Sequence, residues 1–489
     1  MRSKLWAFSF ATAILSGTMP SLARADATAI PPTVADVFAR HEAAVGYSLS
    51  DGKAAPFIRY WSSTWKDEIG NPDSATSVDW QAGAFYRYEF TYLGSTSSIG
   101  FDGQKFWYGS TNDNVSEETG FARPYRVTAS IVYAEAFDSS LNAKYLRSAP
   151  PDDIIRIQPP NGVTADVYFN KNTAFIDRVV YDPNGYAVLE QYRDYRAEGP
   201  VVVAHTVQYY DTISTLTKFE WNAQFDTTAV NPPTPHQYLW LPASGSTTVP
   251  FDNHGGVIIV GSVNGTDGHF LLDSSTDGIK LSKHFAKIGG LKLNENAKAQ
   301  EAAPTVDSID VGDMQMRDVH VAVINGNYSG PYDGILGSDV FAKTVVTIDF
   351  DKKLVTFQDP SSFHFDGARP SIALTFDDGL PQIPVTANGN ATFPAGVSSG
   401  LMFLMTMSAG FMAAHPDIAN SNGKYSSIGT IGELAIGPFK VPNVRVFPFE
   451  YARGYSNVPV APAFLGMRVL SSFNMTFDYS DRLLFLTPD

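Results

Sequence analysis

The sequence predicts a mainly β protein in which a helix and a curved antiparallel sheet, a half-barrel, precede a pair of β-barrel lobes. Three observations support this fold class. Residues 58–221 are rich in aromatic and β-branched residues that Gly, Asn and Pro interrupt. Residues 33–46 have the pattern of an amphipathic helix. Residues 246–489 contain the same series of short segments twice.

Composition limits the classes of partner and compartment. The 489 residues are 44% hydrophobic and 17% charged, so the chain can bury more than one core and we expect several domains. A net charge of -15 argues against nucleic acid and against anionic membrane surfaces as partners. The chain has no cysteine, which excludes a disulfide framework and fits a bacterial periplasm.

The N-terminus has the pattern of a targeting segment. Arg2 and Lys4 precede an apolar run at residues 5–15, and Ala-Arg-Ala at residues 23–25 has the form of a cleavage site. We predict a secretory signal peptide at residues 1–25, which is too short and too poorly flanked for a stable membrane span. The protein is therefore expected to be periplasmic or secreted.

The first predicted element after this segment is a helix. Thr33 can cap it, Asp36 favours its first turn, and Gly46 ends it. Val37 and Phe38 belong to its apolar face.

The strands that follow have recognisable signals. Residues 85–92 alternate in part as a half-buried strand does, and residues 101–107 predict a hairpin with Asp-Gly as its turn. A late Asp-Tyr-Arg strand lies at residues 191–196. This order resembles the periplasmic lipoprotein-carrier domains (LolA/LolB-like half-barrels), and we assign that domain to residues 33–230. The resemblance implies a lipid or lipoprotein as a partner, whereas an aromatic-rich sheet also fits ordinary packing.

A Pro-rich segment separates the two halves. Three prolines lie within residues 231–235, and they cannot continue a sheet. We predict a stiff linker at residues 231–245 between separately folded halves.

The C-terminal half contains an internal repeat. Residues 347–357 match residues 476–486, and residues 334–337 match residues 463–466, both at an offset of 129 (476 minus 347). The pair at residues 311–312 matches residues 436–437 at an offset of 125 (436 minus 311). This period is too long for a solenoid, so we predict two homologous lobes at residues 246–365 and 366–489.

Two segments of the first lobe carry a second resemblance. An apolar strand at residues 270–272 ends in Asp273-Ser274-Ser275, and Asp-Gly-Ile-Leu-Gly follows at residues 333–337. This pattern resembles the retropepsin and pepsin-like aspartic peptidases across residues 246–489. In that family each lobe supplies one Asp to the floor of the cleft between the lobes. The resemblance implies that Asp273 is the first catalytic residue and that Ser274 supplies the motif hydroxyl. It also implies that the following residues support the cleft: Ser275, Gly334, Ile335, Leu336, Gly337, Leu465 and Gly466.

The second catalytic position lacks an acid. Aligning Gly278 with Gly400 places Ala395 opposite Asp273, and aligning the motif glycine places Pro394 there. Peptide hydrolysis in this family needs two carboxylates that share one proton, so that one is the base and the other the acid. A lone Asp cannot fill both roles. We therefore predict an incomplete dyad.

Other motifs yield weaker predictions. Ser275 replaces the motif glycine, which we expect to strain a turn that needs positive φ. Asp377 and Asp378 are expected to be solvated turn acids, and residues 400–412 a buried strand that runs into a helix. The nine histidines lack HExxH spacing, so neither a metal site nor another cofactor is expected.

Three functions remain open. The first is an exported pseudopeptidase that binds an extended peptide between its lobes by backbone pairing but does not cut it. The second is an active aspartic endopeptidase in which Asp273 works with a substitute acid. The third is a lipid or lipoprotein carrier that acts through the N-terminal domain. We adopt the first because the second lobe lacks its acid.

Overall fold

The structure is a computed structural model. It describes residues 32–47, 55–66, 72–83, 85–182, 187–225, 227–253, 256–293, 303–324, 331–365, 370–418, 428–449 and 461–488. The predicted signal peptide at residues 1–25 lies outside these residues.

The N-terminal half contains two helices and thirteen strands. They are α1 (Val34–Val45), β1 (Phe57–Lys66), β2 (Pro72–Ala82), β3 (Phe85–Tyr92), β4 (Ser95–Phe101), β5 (Phe106–Gly109), β6 (Val115–Glu117), α2 (Arg123–Tyr133), β7 (Lys144–Ala149), β8 (Asp152–Ile157), β9 (Thr164–Asn170), β10 (Ile176–Asp182), β11 (Val188–Glu198), β12 (Val201–Tyr209) and β13 (Thr212–Trp221).

These strands form one antiparallel sheet, the N-terminal sheet. Its order is β6-β5-β4-β3-β2-β1-β13-β12-β11-β10-β9-β8-β7, so two meanders meet where β1 pairs with β13. Helices α1 and α2 pack their apolar faces on it. Helix α1 begins with the predicted capping box of Thr33 and Asp36 and ends at Gly46 in the left-handed conformation. The predicted Asp-Gly hairpin joins β4 to β5.

The first lobe follows a short strand. Its elements are β14 (Leu239–Trp240), β15 (Ser246–Asp252), β16 (Ile258–Val263), β17 (Thr266–Leu272), β18 (Ile279–Ser282), α3 (Lys283–Ile288), β19 (Thr305–Val311), β20 (Met314–His320), β21 (Ala322–Ile324), β22 (Gly334–Leu336), α4 (Ser338–Phe341), β23 (Val345–Asp349) and β24 (Leu354–Gln358).

The second lobe has a similar series of elements. They are β25 (Ser371–Ala373), β26 (Thr375–Asp377), β27 (Leu380–Ala387), β28 (Ala391–Val397), β29 (Met405–Ser408), α5 (Ala409–Ala414), β30 (Gly429–Ile436), β31 (Phe439–Phe449), β32 (Ala463–Leu465), α6 (Met467–Leu470), β33 (Phe473–Asp478) and β34 (Leu483–Pro488).

A six-stranded central sheet joins the lobes in the order β15-β24-β23-β33-β34-β25. At its middle, β23 pairs with β33, and the hydroxyls of Thr347 and Thr476 lie 3.0 Å apart. One buried apolar core, which extends from Tyr238 to Leu486, is shared by both lobes. The predicted fold class, mainly β with two lobes after a helix and a curved sheet, is confirmed. The segment at residues 400–412 also contains the predicted strand, β29, followed by α5.

The halves are not joined by a simple spacer. Within residues 231–245, Tyr238 is fully buried, and β14 pairs with β20 of the first lobe. Asp339 of α4 is also fully buried and accepts hydrogen bonds from the N-terminal half. Its donors are Ser110 Oγ, Asn112 Nδ2 and Asn114 Nδ2, each at 2.6 Å. Polar groups of both halves are therefore buried against each other, because each satisfies the other.

This contact gives a stability prediction. Asn114→Ala removes one donor from the buried Asp339 carboxylate and should destabilise the protein by about 2–3 kcal/mol, because the carboxylate stays buried. The urea midpoint should fall accordingly. As a control, Asn172→Ala changes an exposed turn residue and should leave the midpoint within error. An unchanged midpoint in the first variant would contradict the role given to this contact.

Candidate functional site

Strand β17 places Asp273 at the start of a turn. The strand runs parallel to β22, with Leu272 opposite Leu336. Asp273 N–H donates to the Leu336 carbonyl at 3.0 Å, which fixes the first residue beyond the strand.

The second lobe has the same arrangement with a different residue. Strand β28 runs parallel to β32, with Val397 opposite Leu465, and Ser398 N–H donates to the Leu465 carbonyl at 3.1 Å. Ser398 is therefore the counterpart of Asp273.

The predicted partner position, Ala395 or Pro394, is wrong. Ala395 is a fully buried residue of β28 that pairs with Ala463, so it corresponds to Phe270. The sequence contained the correct signal, since Ser398 lies 125 residues after Asp273 (398 minus 273). That is the offset already seen in the hairpins at residues 311–312 and 436–437. The prediction that no acid occupies the partner position agrees with the serine found there.

Crossed hydrogen bonds hold the two turns together. Ser274 N–H donates to Ser399 Oγ at 3.0 Å, and Ser399 N–H donates to Ser274 Oγ at 3.2 Å. In turn, Ser274 Oγ donates to the Val397 carbonyl at 2.7 Å, and Ser399 Oγ donates to the Leu272 carbonyl at 2.8 Å. All four groups are buried, so each hydroxyl satisfies backbone groups of the opposite lobe.

Five donors surround the Asp273 carboxylate. Its Oδ1 accepts from Ser275 N–H at 2.9 Å, Ser275 Oγ at 2.9 Å, Ser398 Oγ at 3.1 Å and Gly400 N–H at 3.1 Å. Its Oδ2 accepts from Thr276 Oγ1 at 2.8 Å. Oδ1 therefore accepts four of the five hydrogen bonds, and Oδ2 accepts one. These donors are amides and hydroxyls, and none is a second carboxyl group.

Ser275 does not strain its turn as the sequence suggested. Its φ is not positive, and its hydroxyl contacts both Asp273 and Ser398, with 2.7 Å to the latter. The position where glycine is needed is Gly400, because a Cβ there would lie 2.5 Å from Cγ of Asp273.

The predicted supporting loops lie behind both turns. Gly334, Ile335 and Leu336 form β22, and Leu465 ends β32. A Cβ on Gly337 would lie 2.2 Å from the Thr276 carbonyl oxygen, and one on Gly466 would lie 2.1 Å from the Phe403 carbonyl oxygen. Glycine at these two positions therefore lets each loop contact the turn of its own lobe directly.

The charge of Asp273 affects the pKa of Tyr479, Tyr332 and Lys280. Burial, together with this charge, raises the pKa of Tyr479, whose hydroxyl donates to the Ser274 carbonyl at 3.2 Å. The same two causes raise the pKa of Tyr332. Burial lowers the pKa of Lys280, and the charges of Asp277 and Asp273 act in the opposite direction. Tyr479, Tyr332 and Lys280 are two phenols and an amine, so none of them offers Asp273 a carboxyl partner.

Asp377 and Asp378 differ from their predicted state. Asp377 is fully buried, and Asp378 is largely buried and paired with Arg126. They contact the N-terminal half, since Asp377 Oδ2 accepts from Ala122 N–H at 2.7 Å. The prediction of solvated turn acids is wrong because a partner more than 250 residues earlier in the chain covers them.

The interior of the N-terminal sheet contains a buried acid, Glu190. Glu190 accepts hydrogen bonds from four tyrosine hydroxyls at 2.7 to 3.3 Å. The donors are Tyr125, Tyr133, Tyr181 and Tyr192. Burial raises the pKa of Glu190, and these four bonds oppose that shift. The aromatic residues in this region thus satisfy a polar group.

The described residues contain neither a helix suited to crossing a membrane nor a cluster of side chains suited to a metal ion. No helix among them is both long and apolar enough to cross a membrane. They also contain no group of three or more His, Asp or Glu side chains placed to hold a metal ion.

The crossed hydrogen bonds give the second prediction. Ser399→Ala leaves the buried Ser274 N–H and Leu272 carbonyl without partners, and should destabilise the protein by about 2–4 kcal/mol because both groups are buried. Thermal unfolding measures this loss. Ser244→Ala, at an exposed hydroxyl that donates to the Ser246 carbonyl, is the matched control. Equal melting temperatures for the two variants would contradict the assignment.

Comparisons of the chain with known protein families and with curated proteins find no match. Solved structures do match parts of it. A LolA superfamily protein from Nitrosomonas europaea matches over 40% of this chain and 97% of that chain, at 9% identity and a TM-score of 0.33.

The other two are proteases. An aspartic proteinase from Irpex lacteus matches over 50% of this chain and 97% of that chain, at 13% identity and a TM-score of 0.35. A retropepsin-like aspartic protease from Rickettsia conorii matches over 24% of this chain and 90% of that chain, at 22% identity and a TM-score of 0.19. Solved structures similar to this chain thus include both kinds of protein that the sequence resembles.

Proposed function

We propose that this protein is an exported pseudopeptidase that binds an extended peptide between its two lobes without cutting it. One observation carries the proposal. Ser398 occupies the position where the second lobe would need its acid, and its hydroxyl donates to the Asp273 carboxylate at 3.1 Å.

A serine cannot replace the missing acid. In a two-acid mechanism, one carboxylate takes a proton from water while the other, protonated, donates to the scissile carbonyl. A hydroxyl can donate a hydrogen bond, but it does not exchange a proton in the acidic range as a carboxyl group does. The remaining acid, Asp273, is hydrogen-bonded only by amides and hydroxyls, so no second carboxyl group shares its proton.

An apolar cluster lies beside the strand that carries Asp273. Ile258, Leu271 and Ile335 form a small buried apolar cluster, with Tyr332 packed against it. This cluster adjoins the end of β17, where Asp273 lies. An extended peptide could pair its backbone with the lobes and place an apolar side chain here.

Export rests on the sequence alone. The proposed signal peptide at residues 1–25 and the absence of cysteine support a periplasmic or secreted location. The lipid-carrier alternative lacks a comparable observation, because helices and the Glu190 cluster occupy the interior of the N-terminal sheet.

The proposal predicts binding without hydrolysis. The wild-type protein should bind unstructured peptides in a fluorescence anisotropy assay but show no cleavage above background between about pH 3 and 7. Ser398→Asp restores two facing carboxylates and should raise acid-range hydrolysis by about 10²–10⁴-fold over the wild type.

The double variant Ser398→Asp, Asp273→Asn is the control for that gain, and it should return to background. If the wild-type protein hydrolyses peptides and Asp273→Asn abolishes this activity, the pseudopeptidase proposal is wrong. If the protein does not bind peptides, the proposed ligand is wrong, but the proposal that the site is inactive still stands.

A further inference from the structure

One segment of the N-terminal half contacts both lobes. Residues 110–126, here called the brace, include the loop after β5, strand β6 and the start of α2. The brace meets Asp339 in the first lobe and residues 376–382 in the second. Both contacts are buried, but they differ in charge.

At the first lobe, one carboxylate meets three neutral donors. Asp339 accepts from the hydroxyl of Ser110 and from the side-chain amides of Asn112 and Asn114. Tyr238 adds a hydrogen bond to the Asp339 carbonyl at 2.8 Å. These donors keep their protons throughout the neutral range, so this contact does not depend on a titrating partner.

At the second lobe, three carboxylates surround one guanidinium. Arg126 Nε lies 3.1 Å from Glu118 Oε2, and its Nη2 pairs with Asp378. Asp378 N–H also donates to Glu118 Oε1 at 2.9 Å. Glu118 and Asp377 are fully buried and Arg126 nearly so. Full ionisation would therefore leave buried negative charge that one arginine cannot compensate.

Asp377 is the least compensated of the three acids. Its Oδ2 accepts from Ala122 N–H at 2.7 Å and Gln382 Nε2 at 2.9 Å. Its Oδ1 is buried without a hydrogen-bond partner among the described residues. A proton on this carboxyl group removes the uncompensated charge.

The pKa values of Asp377 and Glu118 depend on burial and on the charged groups around them. Burial raises the pKa of Asp377 to about 7, while Arg126 and the two hydrogen bonds oppose the shift and Asp378 adds to it. Burial also raises the pKa of Glu118, against the effect of Arg126, and the charges of Asp378 and Asp377 add to it. The remaining titratable groups facing this cluster are Tyr86 on β3, whose pKa burial raises, and, beyond Asp378, Tyr108 and Asp277.

We propose that the brace is pH-responsive, holding both lobes in acid and releasing the second lobe when Asp377 and Glu118 lose their protons. The sign follows from proton linkage. An acid whose folded-state pKa lies above its ordinary value of 3.8 stabilises the closed contact fully below that value. This stabilisation is lost as the pH rises through about 7. The first lobe is expected to stay attached because Asp339 is held by three neutral donors. Burial also raises the pKa of Asp277 in this lobe, to about 6, but the hydrogen bond from Tyr108 opposes that shift.

Spin-label distances test the proposal, and the absence of native cysteine makes the labels unique. One pair joins Arg123, exposed in the brace where α2 begins, to the exposed Thr430 in the second lobe. The other pair joins Val115, exposed in the brace next to Asn114, to the exposed Val260 in the first lobe. Between about pH 5 and 8.5, the first distance distribution should broaden and lengthen, with a midpoint near 7, while the second stays unchanged.

Asp377→Asn provides the decisive variant. Its amide oxygen can still accept from Ala122 and Gln382, but it carries no charge at any pH. The lengthening of the distance to the second lobe near pH 7 should therefore shrink to the part that Glu118 contributes. Glu433→Gln removes an exposed acid of the second lobe that pairs with Lys440, and it should keep the wild-type response.

Two results would overturn the proposal. One is a wild-type distance to the second lobe that does not change with pH, and the other is a full pH response in Asp377→Asn. Should that variant not fold, hydrogen exchange of the wild type replaces it, read at Thr119 and Gly120, whose N–H groups donate to the Phe376 carbonyl. Their protection, corrected for intrinsic rate, should fall as the pH rises through about 7 if the brace opens, and constant protection would refute it. Peptide binding is not measured here, so failure of this proposal leaves the pseudopeptidase proposal untouched.

Discussion

The crossed hydrogen bonds between Ser274 and Ser399 are the constraint on which the site depends. Each hydroxyl satisfies a backbone N–H and a carbonyl of the opposite lobe, and all of these groups are buried. Separating the turns would leave four polar groups in the interior without partners. The two turns therefore keep one spacing, and that spacing brings the Ser398 hydroxyl onto the Asp273 carboxylate. The central sheet also holds the two lobes together, because β23 of the first lobe pairs with β33 of the second.

This geometry separates the architecture of the site from its chemistry. The backbone around Asp273 and Ser398 is alike in the two lobes, down to the N–H donation onto β22 and β32. At these two positions the side chains differ. A carboxylate with a hydroxyl beside it is a satisfied acceptor with a donor, which is a stable resting arrangement. Two carboxylates in the same place would compete for one proton. The exchange of one residue thus converts a strained, reactive pair into an unstrained one.

Local signals in the sequence predicted the local structure well. The capping box at Thr33, the Asp-Gly hairpin before β5 and the strand that precedes α5 all follow from short-range rules. The partner of Asp273 was misplaced because Gly278 was aligned with Gly400. The structure makes Leu404 the counterpart of Gly278, since Gly337 N–H donates to the Gly278 carbonyl and Gly466 N–H donates to the Leu404 carbonyl. The turn after Ser398 is one residue longer than the turn after Asp273, as the pairings of β29 and β18 with their neighbours show. The burial of Asp377 had no local signal at all, because the groups that cover it come from distant chain positions.

The two halves of this facing position lie on one chain, at residues 273 and 398. In an assembly of two identical subunits, a change of that position would alter both halves at once, and a site with one acid and one serine could not exist. A single chain removes this coupling. Each half can then be selected for a separate task, so that an acid is retained on one side while the opposite side becomes a hydroxyl that locks it in place. Asymmetry of this kind is available only to a molecule that encodes its two lobes independently.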